Sequence, residues 1–479
     1  MKNSTSFNLG NLTIRDLSKG ISSGDVSPVD LVEVSLQRIT RLNPKLNAFI
    51  TVLENSAKED ARNAELEIKQ DKYKGPLHGI PICLKDLIYV KGVRSTSGSK
   101  ILSDFVPDYD STVSRKLKEA GAIIIGMNNT HEFACGLTNI NPHYGSSRNP
   151  WNSNRMSGGS SGGSVVAVSA RMTPAAIGTD TSGSIRVPSS LCGVFGLKPT
   201  YGRVSKYGVM QLAPSIDHVG PIARSTWDIA AVLQAIAGYD KQDSSTADIP
   251  VPDYVKLISE KEESKEYKLA VPIEFFFDLI DSKVMRLFEK FVEKLHGCRI
   301  SIEQMKIEKT EKIIDSWQAI RFGESAAVHS NWMKSRHSEY GKDVITMLEK
   351  GMDITAVQYI HAHKKRNEIR TAFIQGMKDY DALLVPTTII LAPFLDQTIV
   401  DIGASKSIEV YRALSRLTTA FDITGLPAFN IPAGLDPDNN LPVGVQLVGR
   451  PFDEGTLLKI SNRYDQYYNI SEKMTPPLE

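Results

Sequence analysis

The chain has 479 residues and carries 56 Lys+Arg against 55 Asp+Glu, which leaves a formal net charge of +1. With 41% hydrophobic and 23% charged residues, its composition is that of an ordinary globular protein and excludes a disordered or collagen-like chain. Because binding to a phosphate backbone normally requires a basic excess, the near-neutral charge predicts no direct nucleic-acid partner.

The first part of the chain alternates helices with strands. Ser27-Pro28, followed by apolar residues at helical spacing, predicts a helix that ends before Asn43-Pro44. The elements predicted after it are a strand at 47–53, a helix at 56–69, a buried strand at 79–84 that leads into Lys85, a helix at 111–120 and a strand at 122–125. This alternation predicts an α/β fold with an at least partly parallel sheet.

The later part of the chain is more helical. Its predicted elements are a helix at 225–237, a polar surface excursion at 240–268, mostly helical segments at 282–296 and 313–377, a strand at 382–385, a hairpin-like pair at 428–432 and 443–448, and a helix from Asp453. We expect a single domain spanning 1–479, in which residues from about 240 to 375 form a variable, mostly helical insertion or outer layer.

Cysteine usage and the N-terminus predict a cellular location. The four cysteines are far apart and form no C-x-x-C pair, which predicts neither a metal site nor a disulfide framework and favours a reducing, cytoplasmic setting. Residues 1–10 lack the apolar core of a signal peptide, and the longest apolar stretch, 382–395, is interrupted by prolines. We therefore expect no signal peptide and no contact with a membrane.

Glycine is strongly concentrated in one window of the sequence. Ten of the 34 glycines lie between Gly158 and Gly208, about three times the number that an even spread would place there. Since glycine permits positive φ and close approach of the backbone to a ligand, such a window is either a flexible linker or a site built from main chain. The core of the window, 157–164 (SGGSSGGS), runs directly into the apolar segment 165–170, which disfavours a linker.

Several short motifs compete for this window. A phosphate-binding loop lacks its lysine, because Ser164 stands at that position, and no G-x-G exists in the chain. A nucleophile elbow, G-x-S-x-G, fits twice, at Ser160 and at Ser161. It also needs a catalytic histidine, and the sequence context singles out none of the nine histidines. This α/β-hydrolase alternative stays open. The S-x-x-K pattern at 97–100 lacks the other motifs of the β-lactamases.

Longer motifs carry a more specific resemblance. The stretch 178–186 (GTDTSGSIR), together with GGSSGGS upstream and GIP-x-x-LKD at 79–86, resembles the amidase signature family. The likeness continues to LPVGVQ at 441–446 and thus covers nearly the whole chain. It implies a mixed central sheet flanked by helices on both sides, and an enzyme that hydrolyses the C–N bond of linear amides without a metal or another cofactor.

The resemblance also implies a Ser–Ser–Lys triad. In it Lys85 is the base, Ser160 is the bridging serine on a cis peptide bond, and Ser184 is the nucleophile. The oxyanion-hole amides are those of Thr181, Ser182, Gly183 and Ser184, and the supporting residues are Ser161, Asp180 and Arg186. Ser182 replaces a glycine that is usual in the family, which would disturb the loop if this position needs a positive φ.

The chemistry of amide hydrolysis explains these residue types. An amide needs an activated hydroxyl, a stabilised oxyanion and a proton for the departing nitrogen. A lysine can act as the base only when it is neutral, so its pKa must fall from about 10.4 to near 7. The apolar run 80–84 that precedes Lys85 is consistent with the burial that lowers such a pKa.

Two functions within the family remain. The main expectation is a free-standing hydrolase of a small-molecule carboxamide, with a homodimer as an arrangement common among relatives. The alternative is the glutaminase component (the A subunit) of a tRNA-dependent amidotransferase, which releases ammonia from glutamine for its partner subunit. That component typically has Gln where this chain has Val187, which favours the hydrolase. A non-catalytic scaffold is a third hypothesis, which the intact set of Lys85, Ser160 and Ser184 disfavours.

Overall fold

The computed structural model describes residues 9–260, 265–403 and 406–478. Its α-helices are α1 Ile14–Ser23, α2 Pro28–Leu46, α3 Glu54–Lys69, α4 Thr112–Glu119, α5 Gly162–Ser169, α6 Arg186–Cys192, α7 Thr226–Ile236, α8 Tyr254–Ser259, α9 Ser282–Gly297, α10 Ile313–Ser335, α11 Lys342–Met352, α12 Ala356–Gly376, α13 Val410–Ser415, α14 Thr419–Ile423, α15 Glu454–Tyr468 and α16 Ile470–Lys473. Its strands are β1 Phe49–Val52, β2 Pro81–Lys85, β3 Ile123–Asn128, β4 Arg148–Asn149, β5 Asn152–Met156, β6 Ala175–Asp180, β7 Phe195–Lys198, β8 His218–Ala223, β9 Tyr267–Pro272, β10 Ile300–Met305, β11 Ala382–Pro386, β12 Ile399–Ile402, β13 Lys406–Glu409, β14 Ala428–Leu435 and β15 Pro442–Val448.

A mixed sheet forms the centre of the molecule. In the part of the chain that the structure describes, it has 11 strands in the order β1-β3-β2-β6-β8-β7-β14-β15-β11-β9-β10. Strand β2 is parallel to β3 and β6, and β9 is parallel to β10 and β11, whereas the strands between these two groups pair antiparallel. The expected α/β class with a mixed central sheet is therefore confirmed.

Strand β2 shows why helices cover both faces of this sheet. Successive side chains of a strand point to opposite faces. Ile82 and Leu84 belong to the core cluster that includes residues of α4 and α7, whereas Cys83 belongs to the cluster that includes residues of α2 and α5. Because all three side chains are fully buried, β2 needs helices on each side, and the chain supplies them.

The parallel strands bring the motifs that carry the resemblance to one edge of the sheet. Strands β2 and β6 are parallel neighbours, and they end at Lys85 and Asp180 respectively. The carboxyl ends of parallel strands meet at the same edge of a sheet, where ligand sites of α/β proteins are commonly found. The two glycine- and serine-rich loops, 157–161 and 181–185, lie immediately before α5 and between β6 and α6.

One predicted boundary is wrong. Helix α2 continues through Pro44 to Leu46 instead of ending before Asn43. A proline in the last turn removes a single helical N–H, and the helix instead ends at Asn47, which adopts a left-handed conformation with a φ of 51° and donates its N–H to the Asn43 carbonyl. The Asn43 side chain also accepts the Phe49 N–H at 2.9 Å, which fixes the start of β1.

Residues 240–375 contribute strands as well as helices. Strands β9 and β10 lie at the edge of the central sheet next to β11, and α8 lies within the predicted surface excursion, of which 261–264 fall outside the described residues. Because one sheet joins strands from both halves of the chain, we propose that 1–479 form one domain with 240–375 as a largely helical outer region. Within the described residues, no helix is long and apolar enough to span a membrane. The expected absence of a signal peptide concerns residues 1–10, of which 1–8 lie outside the described part.

Candidate active site

Lys85 lies at the carboxyl end of β2 and has no exposed surface. Its Nζ is 2.7 Å from Ser160 Oγ and 2.7 Å from Thr179 Oγ1, and both contacts are hydrogen bonds. Burial lowers the pKa of Lys85 to about 7, although the charges of Asp180 and Asp217 oppose this shift. Near neutral pH a substantial fraction of this amine is therefore unprotonated and able to accept a proton.

Ser160 and Ser161 occupy the turn that leads into α5. The peptide bond between Gly159 and Ser160 is cis, as the resemblance implies. The Ser160 carbonyl accepts hydrogen bonds from the Thr130 hydroxyl at 2.9 Å and the His131 N–H at 3.2 Å, which fix the turn from the side of β3. The Ser160 hydroxyl is consequently held where it meets Lys85.

Ser161 joins the two glycine- and serine-rich loops. Its N–H donates to the Ser184 carbonyl at 3.2 Å, and its hydroxyl donates to the Thr179 carbonyl at 3.1 Å. Ser184 lies in the second loop, is 2% exposed, and its hydroxyl has no hydrogen-bond partner among the described residues. The structure thus connects Lys85 to Ser160 by a direct hydrogen bond, and it ties the Ser184 segment to the same turn through the main chain.

One of the four amides expected to form the oxyanion hole is already used. The N–H of Gly183 donates to Asp180 Oδ1 at 2.7 Å. The N–H groups of Thr181, Ser182 and Ser184 have no acceptor among the described residues. Three of the four expected amides therefore remain without an acceptor, because the Asp180 carboxylate takes the Gly183 N–H.

Glycine is required at position 183 and not at 182. Gly183 has a φ of 114°, whereas Ser182 has no positive φ. A Cβ atom on Gly183 would lie 2.4 Å from Thr418 Oγ1 and 2.8 Å from Val187 Cγ2, which is closer than real side chains pack. The serine that replaces the family's usual glycine at 182 therefore introduces no backbone strain.

A buried ionic cluster holds the second loop in place. Arg186 has no exposed surface and forms ion pairs with Asp180 at 3.0 Å and with Asp422 at 2.8 Å. Burial opposes ionisation of Asp180, but the Arg186 guanidinium prevails and holds the pKa of Asp180 well below its usual range. Burial raises the pKa of Asp422 well above its usual range despite Arg186, and the Asp180 charge raises it further. The pKa values of the two carboxyl groups thus shift in opposite directions, and Arg186 stabilises the ionised form of Asp180 more than that of Asp422.

Sequence reasoning missed several residues that complete this arrangement. Thr179 belongs to the GTDTSGSIR motif without a predicted role, yet its hydroxyl is the second partner of Lys85. The Thr418 hydroxyl donates to the Ser182 carbonyl at 2.6 Å, and Gln446 Oε1 accepts from Arg186 at 2.9 Å. Gln446 lies in the LPVGVQ motif and could have been identified there, whereas Thr418 has no local signal.

The nucleophile-elbow alternative needs a histidine beside Ser160 or Ser161, and among the described residues no imidazole bonds to either hydroxyl. The hydroxyls of Ser160 and Ser161 bond to Lys85 and to the Thr179 carbonyl, not to an imidazole. His131 approaches Ser160 only through its main-chain N–H, since its ring bonds to Asp343 at 2.9 Å. A nucleophile elbow at either serine would lack its base.

Comparisons with known proteins agree with this geometry. The Amidase family model matches residues 30–458. The A subunit of the glutamyl-tRNA(Gln) amidotransferase of Carboxydothermus hydrogenoformans is 34% identical over 476 residues, which cover 95% of this chain and 97% of that protein. The crystal structure of the corresponding protein from Thermotoga maritima has a TM-score of 0.81 at 33% identity, covering 99% and 98% of the two chains. A solved amidase has a TM-score of 0.86 at 30% identity, covering 95% and 100%.

The family match spans most of the chain, and the relatives align with it from end to end. The central sheet and its flanking helices are shared with solved amidases. This chain belongs to the amidase signature family and is an amidase, an enzyme that hydrolyses the C–N bond of amides.

Proposed function

We propose that Ser184 is the nucleophile of this amidase and that Ser160 and Lys85 form its proton relay. In the first step Ser184 Oγ attacks the amide carbon while its proton passes to Ser160, whose own proton passes to Lys85 Nζ. The relay then returns a proton to the departing nitrogen, and water hydrolyses the acyl-enzyme. The hydrogen bond of 2.7 Å between Ser160 and a lysine whose pKa burial lowers to about 7 is the observation that carries this proposal.

The second loop would stabilise the charge that develops on the amide oxygen. The N–H groups of Thr181, Ser182 and Ser184 are the unused donors in this loop. Asp180 takes the Gly183 N–H and, through its other oxygen, the Ile185 N–H at 3.0 Å, so the loop is preorganised before substrate arrives.

Covalent labelling tests the assignment of the nucleophile. A fluorophosphonate probe followed by peptide mass spectrometry should place the adduct on Ser184 in the wild-type chain. Ser184→Ala should lose the adduct, whereas Ser182→Ala, which removes a neighbouring hydroxyl, should retain it. An adduct on Ser160 or Ser161 would support the nucleophile elbow instead, and no adduct in the folded wild type would contradict the proposal.

For the substrate, we propose glutamine, with the chain acting as the glutaminase component of a tRNA-dependent amidotransferase. Support comes from the amidotransferase protein of Carboxydothermus hydrogenoformans, which matches 95% of this chain. Such relatives favour the glutaminase component over the free-standing hydrolase that the sequence alone favoured. The chain would then receive glutamine and deliver ammonia to partner subunits.

A free-standing amidase is the second candidate. Val187, where the glutaminase component typically has Gln, and the TM-score of 0.86 to a solved amidase, against 0.81 to the Thermotoga protein, favour it. Ammonia release from glutamine and from a panel of other amides, measured with the purified chain alone and with amidotransferase partner subunits, separates the two. Glutaminase activity that rises with the partner subunits supports the glutaminase component, whereas efficient hydrolysis of another amide by the chain alone supports the free-standing enzyme.

The substrate class, the partners, the oligomeric state and the location of the enzyme are proposals as well. We propose a small-molecule amide as the substrate, no direct contact of this chain with nucleic acid or membrane, and a homodimer if the chain works alone. All four cysteines are buried and unpaired, which is compatible with the reducing, cytoplasmic location expected from the sequence.

A further inference from the structure

Arg321 is a buried cation with no counterion in the described residues. It lies on α10, is 1% exposed, and makes one hydrogen bond, from Nη2 to the Cys135 carbonyl at 2.8 Å. Its Nε and Nη1 are buried without an acceptor, and no described carboxylate lies within ion-pair distance of it. Burying an unpaired charge is strongly unfavourable, so a buried guanidinium without a counterion indicates that another group pairs with it.

Three aromatic rings hold the guanidinium in place. Its central carbon lies 5.5 Å from the ring centre of Trp317, 5.3 Å from that of Phe322 and 5.6 Å from that of Tyr411. Rings at these distances attract a cation, but they offer no acceptor for its N–H groups. The cage therefore fixes the position of Arg321 and leaves Nε and Nη1 available for an oxygen acceptor.

This cage touches the loop that carries Ser184. The Trp317 indole N–H donates to the Thr181 carbonyl at 3.3 Å. Burial raises the pKa of Tyr411, while the Arg321 charge and the Ser182 side chain oppose the shift. Neither the Tyr411 nor the Ser182 hydroxyl has a well-formed hydrogen bond among the described residues. A set of unused donors thus lies directly beside the loop of the proposed nucleophile.

Other deeply buried arginines in the described residues have acceptors for more of their guanidinium nitrogens than Arg321 has. Arg186 bonds to Asp180 and Asp422, as well as to a carbonyl and an amide oxygen. Arg203 pairs with Glu454 at 3.4 Å. Arg224 also forms no ion pair, but its Nη1 and Nη2 donate to the Thr173 and Leu12 carbonyls. Among the described arginines, Arg321 alone has two buried guanidinium nitrogens without an acceptor.

We propose that Arg321 binds a carboxylate of the substrate, so that this amidase acts on amides that carry a carboxylate close to the scissile bond. A carboxylate oxygen would accept a charge-assisted hydrogen bond from Nη1, and the Tyr411 hydroxyl would add a second donor. The inference rests on the proposed function, because it places the amide at Ser184. Glutamine satisfies it through its α-carboxylate, and so do the monoamides of short dicarboxylic acids.

Paired substrates test this inference. The series is glutamine, malonamate, succinamate and glutaramate, each beside the methyl ester of its carboxylate, with ammonia release as the readout. For at least one pair, wild type should prefer the carboxylate by about 10–100-fold in kcat/KM, the range expected of a charge-assisted hydrogen-bonded pair. Arg321→Met should abolish that preference while leaving the ester rate within about threefold, and Arg321→Lys should restore part of it.

A second measurement does not depend on finding the substrate. Malonate, succinate or glutarate should slow fluorophosphonate labelling of Ser184 in wild type and in Arg155→Met, a control that removes another ring-stacked arginine, 4.0 Å from the centre of Phe394. Arg321→Met should be labelled at the wild-type rate but without protection. Two results would overturn the carboxylate site. One is that Arg321→Met lowers hydrolysis of the carboxylate substrate and of its methyl ester equally, and the other is that no dicarboxylate slows labelling in wild type. Absence of labelling in wild type would instead overturn the proposed nucleophile, so the two failures are distinguishable.

Discussion

Lys85 and Lys198 are both fully buried, but their hydrogen-bond partners differ. Burial lowers the pKa of each to about 7, and at Lys198 the charge of Arg186 adds to this effect. Lys85 Nζ bonds to two hydroxyls, whereas Lys198 Nζ bonds to two main-chain carbonyls, at 3.1 and 2.6 Å.

The difference lies in what the partners can do with a proton. A hydroxyl donates as well as accepts, whereas a carbonyl oxygen only accepts. A neutral Lys85 can therefore receive a proton through Ser160, but a neutral Lys198 has no donor beside it among its two partners. A lowered pKa alone does not identify a catalytic base, and the partner group decides.

The largest expected effect separates the two lysines directly. Lys85→Met should lower kcat for the best amide substrate by about 10³–10⁴-fold, because the relay loses its base. Lys198→Met should keep kcat within about tenfold and lower the free energy of unfolding by about 1–3 kcal/mol, since two buried carbonyls lose their donor. Steady-state ammonia release and urea denaturation measure these effects. Equal loss of kcat in both variants would break the comparison.

The two carboxyl groups that contact Arg186 give the next largest effect. Asp180→Asn should lower the free energy of unfolding by about 3–5 kcal/mol, because it leaves Arg186 without its ionised partner. Asp422→Asn should cost less, about 1 kcal/mol, since burial raises the pKa of Asp422 and so disfavours the charge that the substitution removes. Urea unfolding at pH 7 tests this order, and a larger loss for Asp422→Asn would contradict it.

A loop variant sharpens the comparison by leaving both lysines intact. Gly183→Ala should lower kcat/KM by about 10²-fold, because the new methyl group would lie 2.4 Å from Thr418 Oγ1 and would displace the segment that carries Ser184. Ser182→Ala is its matched control and should keep kcat/KM within a few fold. Near-normal turnover by Gly183→Ala would show that this segment tolerates movement.

The pH profile gives the smallest effect. In the proposed relay the neutral form of Lys85 accepts the proton, and its fraction falls as the pH drops below a pKa of about 7. We expect kcat/KM to be half-maximal near pH 7 and to fall about tenfold per pH unit below it. Lys198→Met should keep the same midpoint, and a displaced midpoint in that variant would assign the titration to the wrong lysine.

The sequence predicts the site better than it predicts the strands around it. Lys85, Ser160 and Ser184 follow from long motifs, and the structure places Lys85 and Ser160 in contact. Strands β6 to β8, by contrast, lie inside or just after the glycine window, where glycine, threonine and aspartate give weak strand signals. These strands form because they pair with β2 and β14, contacts that local sequence does not contain.

The same limit explains the residues that sequence reasoning missed. Arg321 lies in a long helical segment, and nothing in its local pattern distinguishes it from a surface arginine. Its burial depends on Trp317 on the same helix and on Tyr411 on α13, far along the chain. A cation of this kind is recognised only when its unused donors are counted in three dimensions.

The cluster around Arg186 also has a consequence for how the enzyme is made. Arg186 bonds to Gln446, which lies 260 residues further along the chain, and to the Thr418 carbonyl and Asp422. We therefore expect the 181–185 loop to reach its final shape during synthesis only after the chain has emerged from the ribosome beyond Gln446. Nascent chains would then carry the sequence of the GTDTSGSIR motif long before its geometry, which would delay amide hydrolysis until the protein is nearly complete.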